Sequence, residues 1–552
     1  MAGHAHRRRT ALIAGALSLT LAAAGCGTPA TTASGANPLL TVYNGASGQF
    51  TLNFNPFAPV PLGPTRGMIY ETLMFVNLAK ASDIRPHLAE SFEWGPDGKS
   101  ITFTIRKNVK WADGKPLTAE DVAFVFNLNK DNAKINTASV PYAGATATDD
   151  SHVTVTFTRP AYTYFWYVAG KTFIVPKHIW STVADPATDT NGQPVGSGPY
   201  KLKQFSAQSI DLEKNADYWQ AGKPKINNIR FVSFTGNESA LNALLAGQVD
   251  WEGGFIADID KVYVSKNPQA NKYLNTPQFI TVFVPNFDAG PASDLAVRLA
   301  IYTAIDRDQV NKLAFSGYDT PASPGLLLQP RDQKWATSDV PSTTSAADPA
   351  KAEDILKKAG YTKGGDGIYA GPKGKLSIKV KVVSGYSDWI AALQVMKQQL
   401  AKIGIDLQPQ EESKNAYDTD MENGSFDMVI TNLYGGPEPY YLYNDFLNSA
   451  NTKPVGERAL HNFARFRSPA VDQALVTIGA TNDEAAKKQA YATIQKEAFS
   501  KLAYIPIGQS STLTEFNAGK FKGWPTMENL YALPMPFTEP DLGIVATNLE
   551  PA

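Results

Sequence analysis

A single cysteine constrains the architecture of this 552-residue chain more than any other feature of its sequence. The residue is Cys26, and no other position offers a thiol with which it could form a disulfide. The folded part must therefore be stabilised by burial of apolar side chains rather than by cross-links. Aromatic residues, which bury large apolar areas, make up 11% of the chain. We expect most of them in the core and a minority in a binding cleft.

The residues before Cys26 are typical of a secretory signal. Three arginines at positions 7–9 precede an uncharged, Ala- and Leu-rich stretch at residues 10–25. This stretch is shorter than the roughly 20 residues of a membrane-spanning helix. The motif Ala23-Ala24-Gly25-Cys26 resembles a lipobox, in which the cysteine sulfur receives a diacylglycerol and becomes the new N-terminal residue after cleavage.

We therefore predict a lipoprotein signal peptide at residues 1–25, lipidation of Cys26 and a flexible tether at residues 26–38, where small polar residues predominate. A structural or catalytic cysteine is the alternative. It is disfavoured because a thiol within a signal-like segment has no core to pack in and no nearby base.

The charge balance argues against a nucleic-acid partner. The chain has 51 basic and 52 acidic residues, and removal of the predicted signal takes away three arginines and no acid, which leaves a formal charge of −4. A mildly acidic body without basic runs offers no electrostatic surface for a phosphate backbone.

Strand and helix patterns intermingle along the chain. Apolar and polar side chains alternate at residues 100–106, 152–158 and 375–383, and this alternation predicts three strands. Thr118 begins a capping-box-like sequence before an apolar helical stripe, and residues 389–403 also predict a helix. The fold class is mixed α/β.

Several motifs resemble one family, the extracellular solute-binding proteins of family 5, which are receptors of oligopeptide, dipeptide, nickel and some oligosaccharide ABC importers. The strongest match is the block Val109-Lys-Trp-Ala-Asp-Gly-Lys-Pro-Leu-Thr-Ala-Glu-Asp-Val122. Further similar stretches, in the order of the family, are residues 53–57, 88–94, 97–99, 105–106, 175–178, 196–200, 297–307 and 504–507. We interpret most of these residues, including Trp111, Asp113 and His178, as scaffold.

The resemblance implies a two-lobed, periplasmic-binding-protein-like α/β fold with a hinge and an extra domain on one lobe. The expected domains are lobe I at residues 39–80, 196–284 and 509–552, the extra domain at 81–195, and lobe II at 285–508. The hinge is expected where the chain crosses between lobes, near Val284 and near Gly508.

The ligand class stays open between an oligopeptide and an oligosaccharide. In peptide-binding members of the family, a carboxylate after a strand like residues 426–431 pairs with the peptide's amino group. Here the corresponding segment has glycines near that position, and Glu438 and Asp445 are the candidate amine partners. The same segment carries four tyrosines that are candidates for stacking on sugar rings, namely Tyr434, Tyr440, Tyr441 and Tyr443.

Four further residues are candidate ligand contacts, with core packing as the alternative for each. Trp251 follows a helix-to-strand unit and is expected at the cleft rim, and Trp389 stands at a predicted helix start. Asn55 and Phe57 belong to the first loop.

No enzyme motif stands out, and we expect no catalytic residue, metal or cofactor. The six histidines lack ligand spacing, and no nucleophile elbow, zinc-protease motif or phosphate loop is present. The resemblance implies a monomeric lipoprotein, anchored by lipid at the extracytoplasmic face of the membrane or in the periplasm. It would deliver a small solute to permease subunits with an associated ATPase. A secreted glycan-active enzyme and a cell-wall interaction lipoprotein are the alternatives.

Overall fold

Short strands and helices alternate along the chain, as the sequence predicts for a mixed α/β protein. The computed structural model describes residues 37–80 and 83–552. The predicted signal peptide, Cys26 and residues 27–36 of the predicted tether lie outside the described residues.

The first strands are β1 (Leu40–Ser47), β2 (Met74–Val76), β3 (Ile84–Pro86), β4 (Ala89–Trp94), β5 (Ser100–Ile105), β6 (Tyr142–Ala147), β7 (His152–Phe157), β8 (Tyr200–Phe205), β9 (Ser209–Lys214), β10 (Asn228–Phe234), β11 (Trp251–Glu252), β12 (Asn271–Asn275) and β13 (Phe279–Pro285). The later strands are β14 (Thr362–Lys363), β15 (Tyr369–Gly371), β16 (Gly374–Lys375), β17 (Ser377–Val383), β18 (Asp406–Glu412), β19 (Met428–Leu433), β20 (Ile505–Ser510), β21 (Leu513–Asn517), β22 (Phe521–Lys522) and β23 (Glu550–Pro551). The helices are α1 (Ala119–Asp131), α2 (Lys177–Trp180), α3 (Asn237–Leu245), α4 (Ile259–Val262), α5 (Leu295–Ala304), α6 (Arg307–Ala314), α7 (Pro349–Lys358), α8 (Ser387–Lys402), α9 (Lys414–Asn423), α10 (Pro439–Leu447), α11 (Pro469–Ala480), α12 (Glu484–Ser500) and α13 (Asp541–Asn548).

Three sheets organise these elements. The largest has seven strands in the order β12-β21-β11-β1-β10-β9-β8, and a second has five in the order β18-β17-β19-β13-β20. A four-stranded antiparallel sheet, β4-β5-β7-β6, is formed by the part of the chain between β1 and β8. Helix α1 packs on this third sheet.

The chain passes between the seven-stranded and five-stranded sheets twice. One crossing is residues 276–278, between β12 and β13, and the other is residues 511–512, between β20 and β21. The two crossings touch, because the Thr276 amide donates to the Thr512 carbonyl at 3.0 Å. Val284 and Gly508, near which the sequence analysis places the crossings, lie inside strands of the five-stranded sheet. The lobe boundaries stay a prediction.

Local sequence signals produce the expected elements. The Asp121 carboxylate accepts from the Thr118 amide at 2.9 Å and completes the predicted capping box of α1. Gly196 lies so close to another segment that a Cβ there would be 1.8 Å from the Ile69 carbonyl oxygen. This close backbone approach explains the glycine in the motif before β8. His178 Nε2 lies 2.7 Å from Asp113 Oδ2, in agreement with a scaffold role.

Two buried carboxyl groups face each other inside the seven-stranded sheet. The register of β11 and β21 places Glu252 opposite Glu515, and their exposed fractions are 1% and 0%. Burial raises the pKa of both side chains, and the charge of Glu252 raises the pKa of Glu515 further. The folded protein therefore holds protons on this pair that the unfolded chain releases.

This pair predicts a pH-dependent loss of stability. Because the pKa values of the pair are higher in the folded protein than in the unfolded chain, the folded state is most stable at low pH. The free energy of unfolding falls as the pH rises above 4.5, the ordinary pKa of a glutamate side chain. Glu515→Gln should therefore gain on the order of 2 kcal/mol relative to the wild type between about pH 5 and about pH 8, measured by urea unfolding. Glu93→Gln, at an exposed position of β4, is the control and should show no such gain. Parallel pH profiles for wild type and Glu515→Gln would contradict the prediction.

Candidate functional site

A cavity of about 690 Å³ lies between elements of the two large sheets. One side is formed by the loop at residues 56–61 and by residues 533–539, which flank the seven-stranded sheet. The other is formed by the start of α8, by α9, and by the segment from the end of β19 into α10. Residues 129–142 and 166–173 close a third side. Its size and its mixed apolar and polar walls are typical of a small-molecule site.

Aromatic rings form much of the wall, and three of them are among the predicted contacts. Tyr434 is 46% exposed and faces the cavity, and Phe57 and Trp389 line it as well. Rings that the sequence analysis does not identify also line the cavity, namely Tyr142, Trp166, Tyr167, Phe173, Phe279, Tyr386, Tyr417, Phe446, Phe463 and Phe537.

The other three predicted tyrosines are not at the cavity wall, which corrects the sequence analysis. Tyr440, Tyr441 and Tyr443 are at most 3% exposed, because all nine residues of α10 are buried. The Tyr443 hydroxyl donates to the Gly325 carbonyl at 2.5 Å. An apolar pattern on all sides of a helix indicates a buried helix, and that signal was available in the sequence.

Trp251 and Asn55 also differ from their predicted positions. Trp251 is fully buried in β11, where its indole nitrogen donates to the Pro534 carbonyl at 2.8 Å. Asn55 is fully buried and holds the first loop, because its amide nitrogen donates to the carbonyls of Pro186 and Asp189 at 2.8 and 2.7 Å. Neither side chain lines the cavity.

The two candidate amine partners are separated by the structure. Glu438 lies outside the cavity, where it accepts from the Tyr491 hydroxyl at 3.3 Å and faces Lys487 at 3.9 Å. Asp445 is buried in α10 and lines the cavity. Its Oδ1 accepts from the Tyr167 hydroxyl at 2.9 Å, and within residues 37–80 and 83–552 no cation lies within 4 Å of the carboxylate. Asp445 is therefore the better placed of the two.

A π-helical turn at Trp166–Gly170 carries cavity residues that the sequence analysis does not identify. Such turns are rare and frequent at functional sites. The turn directs Trp166 and Tyr167 to the cavity and is followed by Lys171, whose ammonium lies 4.7 Å from the Trp166 ring centre. The aromatic run at residues 162–167 was the available sequence signal.

The cavity walls partly desolvate several groups and shift their pKa values, although the side chains of Lys171 and Tyr434 are exposed to the cavity. This desolvation has three effects. It lowers the pKa of Lys171, which the carboxylate of Asp445 partly offsets. It raises the pKa of Tyr434 to about 12, with Asp445 and Glu539 contributing. It also raises the pKa of Glu539, although Arg66 opposes the shift through an ion pair at 3.2 Å.

The described part of the chain contains neither a candidate metal site nor a candidate membrane-spanning helix. No group of three or more His, Cys, Asp or Glu side chains there could hold a metal ion. No helix within residues 37–80 and 83–552 has both the length and the hydrophobicity to cross a bilayer.

Comparisons with known proteins agree on one family. The family model for the bacterial extracellular solute-binding proteins, family 5 (middle), matches residues 83–454. A putative ABC transporter peptide-binding protein of Brucella ovis is 26% identical over 506 residues, which cover 89% of each chain. The periplasmic oligopeptide-binding protein OppA of Salmonella typhimurium is 26% identical over 95% of this chain and 97% of its own.

A solved structure is similar over almost the whole fold. The mannohexaose-bound periplasmic oligopeptide-binding protein of an oligopeptide ABC transporter from Thermotoga maritima superposes with a TM-score of 0.84 at 25% identity. The match covers 93% of this chain and 99% of that one. The predicted two-lobed, periplasmic-binding-protein-like α/β fold is thereby confirmed.

The placement of the tyrosines predicts that truncation of Tyr440 destabilises the protein much more than truncation of Tyr434. Tyr440→Ala should lower the free energy of unfolding by about 3 to 5 kcal/mol, because it leaves a cavity in a buried helix. Tyr434→Ala should change it by less than about 1 kcal/mol, since that ring already faces open space. Urea unfolding of both variants gives the comparison, with Tyr440→Phe as a control that retains the ring. Equal losses for the two alanine variants would contradict the assigned positions.

Proposed function

This chain belongs to the bacterial extracellular solute-binding proteins of family 5, and from that premise we propose that it is the capture receptor of an ABC importer. It binds a short oligopeptide or an oligosaccharide outside the cytoplasm and delivers it to the permease and its ATPase. The observation that carries the proposal is the cavity of about 690 Å³ between elements of two sheets that are joined by two short crossings.

The crossings support a hinge mechanism. A ligand that touches residues on both sides of the cavity favours the conformation in which the two sides are close, and so shifts an open–closed equilibrium. We place the hinge at residues 276–278 and 511–512, with the seven-stranded sheet in lobe I and the five-stranded sheet in lobe II. The four-stranded sheet belongs to the proposed extra domain of lobe I.

The carboxylate of Asp445 favours an oligopeptide. It faces the cavity without a cationic partner within 4 Å among the described residues, and an amino group of a peptide would neutralise it. The Brucella ovis and Salmonella typhimurium relatives are both described as peptide-binding proteins, which supports this choice.

An oligosaccharide is the second candidate, favoured by the aromatic wall. Tyr434, Trp389 and Phe57 offer ring faces and edges on which a sugar could stack. The similar Thermotoga maritima protein was solved with mannohexaose, although it is described as an oligopeptide-binding protein.

We further propose that the receptor is monomeric, catalyses no reaction, and is held at the extracytoplasmic face of the membrane by a lipid on Cys26. A glycan-active enzyme or a cell-wall interaction lipoprotein is the alternative. Product formation from a glycan panel would favour the enzyme, whereas stabilisation by a ligand without turnover supports the receptor. A ligand at a hundredfold its dissociation constant should stabilise the fold by about 2.7 kcal/mol.

Two variants separate the ligand classes in calorimetric titrations with short peptides and with gluco-, xylo- and manno-oligosaccharides. If a peptide binds through Asp445, Asp445→Asn should weaken it about tenfold to a hundredfold, because a charge-assisted hydrogen bond is lost. If a sugar stacks on the wall, Tyr434→Ala should cause a loss of that order and Asp445→Asn should have little effect. Glu438→Gln is the matched control outside the cavity. Absence of binding by every probe would overturn the receptor proposal.

The anchor has its own test. Cys26→Ser should abolish labelling of the protein by a fatty-acid probe and release it from the membrane fraction, because the chain contains no second thiol. Fractionation in high salt distinguishes a lipid anchor from electrostatic adsorption. Retention of Cys26→Ser in washed membranes would show that the anchor assignment is wrong.

A further inference from the structure

The four-stranded sheet is fixed to the side of the molecule that carries the seven-stranded sheet. Its first strand follows His87, whose Nε2 lies 3.1 Å from Glu71 Oε1, and both side chains are at most 3% exposed. The other carboxylate oxygen of Glu71 accepts from the Ser197 hydroxyl at 2.8 Å, and Ser197 lies shortly before β8. The Ala112 amide donates to the Gly196 carbonyl at 2.9 Å. These contacts tie the four-stranded sheet to the seven-stranded one.

The segment at residues 162–170 extends from this part of the chain onto helices α10 and α11. It comprises a 3-10 turn and the π-helical turn described above. Two hydrogen bonds cross the contact. The Thr163 hydroxyl donates to the Ile478 carbonyl of α11 at 2.8 Å, and the Trp166 amide donates to the Tyr441 hydroxyl of α10 at 3.2 Å. The segment is therefore bound to both helices.

Aromatic rings complete the same contact. The ring centres are 5.8 Å apart for Tyr164 and Tyr440, 4.9 Å apart for Trp166 and Tyr441, and 5.0 Å apart for Tyr167 and Tyr441. All three pairs meet edge to face, a geometry that is attractive beyond the effect of area burial. Each of these rings is at most 6% exposed. Separation of the contact would expose them to water.

Helices α10 and α11 belong to the side of the molecule that carries the five-stranded sheet. α10 follows β19, and the hydroxyl of Tyr504, which directly precedes β20, donates to the Phe446 carbonyl of α10 at 2.8 Å. α11 packs on α12, which leads to the same strand β20. The 162–170 segment therefore connects the two sides between which we place the hinge, and its residues Trp166 and Tyr167 also line the cavity.

We propose that the 162–170 segment holds the cavity closed, so that a bound ligand leaves only after the contact of this segment with α10 and α11 has separated. This inference rests on the proposed receptor function and adds a control of ligand release to it. Thr163 and Tyr441 are positioning residues, because neither lines the cavity and both act through the position of the segment. Their hydrogen bonds form only when the two sides are close, so they favour the closed conformation even without a ligand.

The distance between two spin labels tests the inference in the purified protein. One label is attached at Glu93 of β4, next to Phe92, whose ring centre lies 4.6 Å from that of Phe165 in the segment. The other is attached at Gln489 of α12, and both positions are exposed. Cys26→Ser removes the native thiol. Without a ligand, the protein with an intact segment should show a population at a short distance, and tri-alanine or mannohexaose should increase that population if it binds.

The variants weaken the contact without changing the cavity wall. Thr163→Val combined with Tyr441→Phe removes both hydrogen bonds and largely preserves side-chain shape, so the ratio of short to long distances should fall on the order of tenfold. Thr163→Trp is too large for the buried position of a threonine and should abolish the short distance. Tyr443→Phe is the matched control on α10. It removes a hydroxyl that donates to the Gly325 carbonyl, away from the segment, and should leave the ratio unchanged.

The rates of ligand exchange provide a second measurement that a purely structural role of these residues would not change. For whichever of the two probes binds, stopped-flow mixing should show a dissociation rate constant raised on the order of tenfold in the double variant. The association rate constant should stay within about twofold of the wild type, because the open conformation that admits the ligand is unchanged. Tyr443→Phe should release the probe at the rate of the wild type.

The outcomes distinguish the inference from the receptor function. Distances that respond to the variants, together with no binding by any compound of the peptide and oligosaccharide panel, would support the role of the segment and overturn the receptor proposal. Binding of a probe, together with distances that neither the double variant nor Thr163→Trp changes, would overturn the role of the segment alone. A wild type that shows only the long distance, with and without a bound probe, would also overturn it.

Discussion

The two adjacent crossings between the large sheets are the constraint on which the rest of the structure depends. Strands β13 and β20 are neighbours in one sheet, and their continuations β12 and β21 are neighbours in the other. The crossings are tied to each other by the bond from Thr276 to Thr512, and the Asp319 carboxylate accepts from the Ser511 amide at 2.8 Å. Two adjacent connections permit one sheet to rotate relative to the other about the line through the crossings, and they resist sliding of the sheets past each other. Gln278 and Phe279 also line the cavity, so one end of the cavity lies next to the crossings.

The buried helix α10 supports the cavity, although most of its residues do not line it. The Tyr441 hydroxyl accepts from the Trp166 amide at 3.2 Å, at the start of the π-helical turn. From the same helix, Asp445 reaches the cavity and is oriented by Tyr167. Enclosed tyrosines can hold a site rigidly because each ring packs on all sides and each hydroxyl needs a fixed partner. Three of the four tyrosines of this segment therefore pack behind the cavity wall.

The sequence predicts elements well where the signal is local. The capping box at Thr118 and the alternation in β5, β7 and β17 require only neighbouring residues, and these elements form as expected. It predicts the site incompletely because exposure depends on distant packing. Trp251 follows a helix and a short loop, a position typical of a residue at the rim of a cleft. In the structure its strand β11 lies between β1 and β21, and these neighbours enclose the side chain. Lys171 follows the aromatic run at residues 162–167, but only the fold brings it to the same cavity as Asp445.

The electrostatic arrangement of the cavity explains why an unpaired charge can persist there. Arg66 pairs with Glu539 and also donates to the carbonyls of Pro56 and Ala58, so it holds the loop at residues 56–61 while its own charge is neutralised. Lys171 is exposed and has aromatic neighbours, so its ammonium stays hydrated and needs no ion-pair partner. Asp445 differs, because it is buried and its carboxylate is held by the Tyr167 hydroxyl, so that water weakens the attraction of this group for a cation less than it does at an exposed carboxylate.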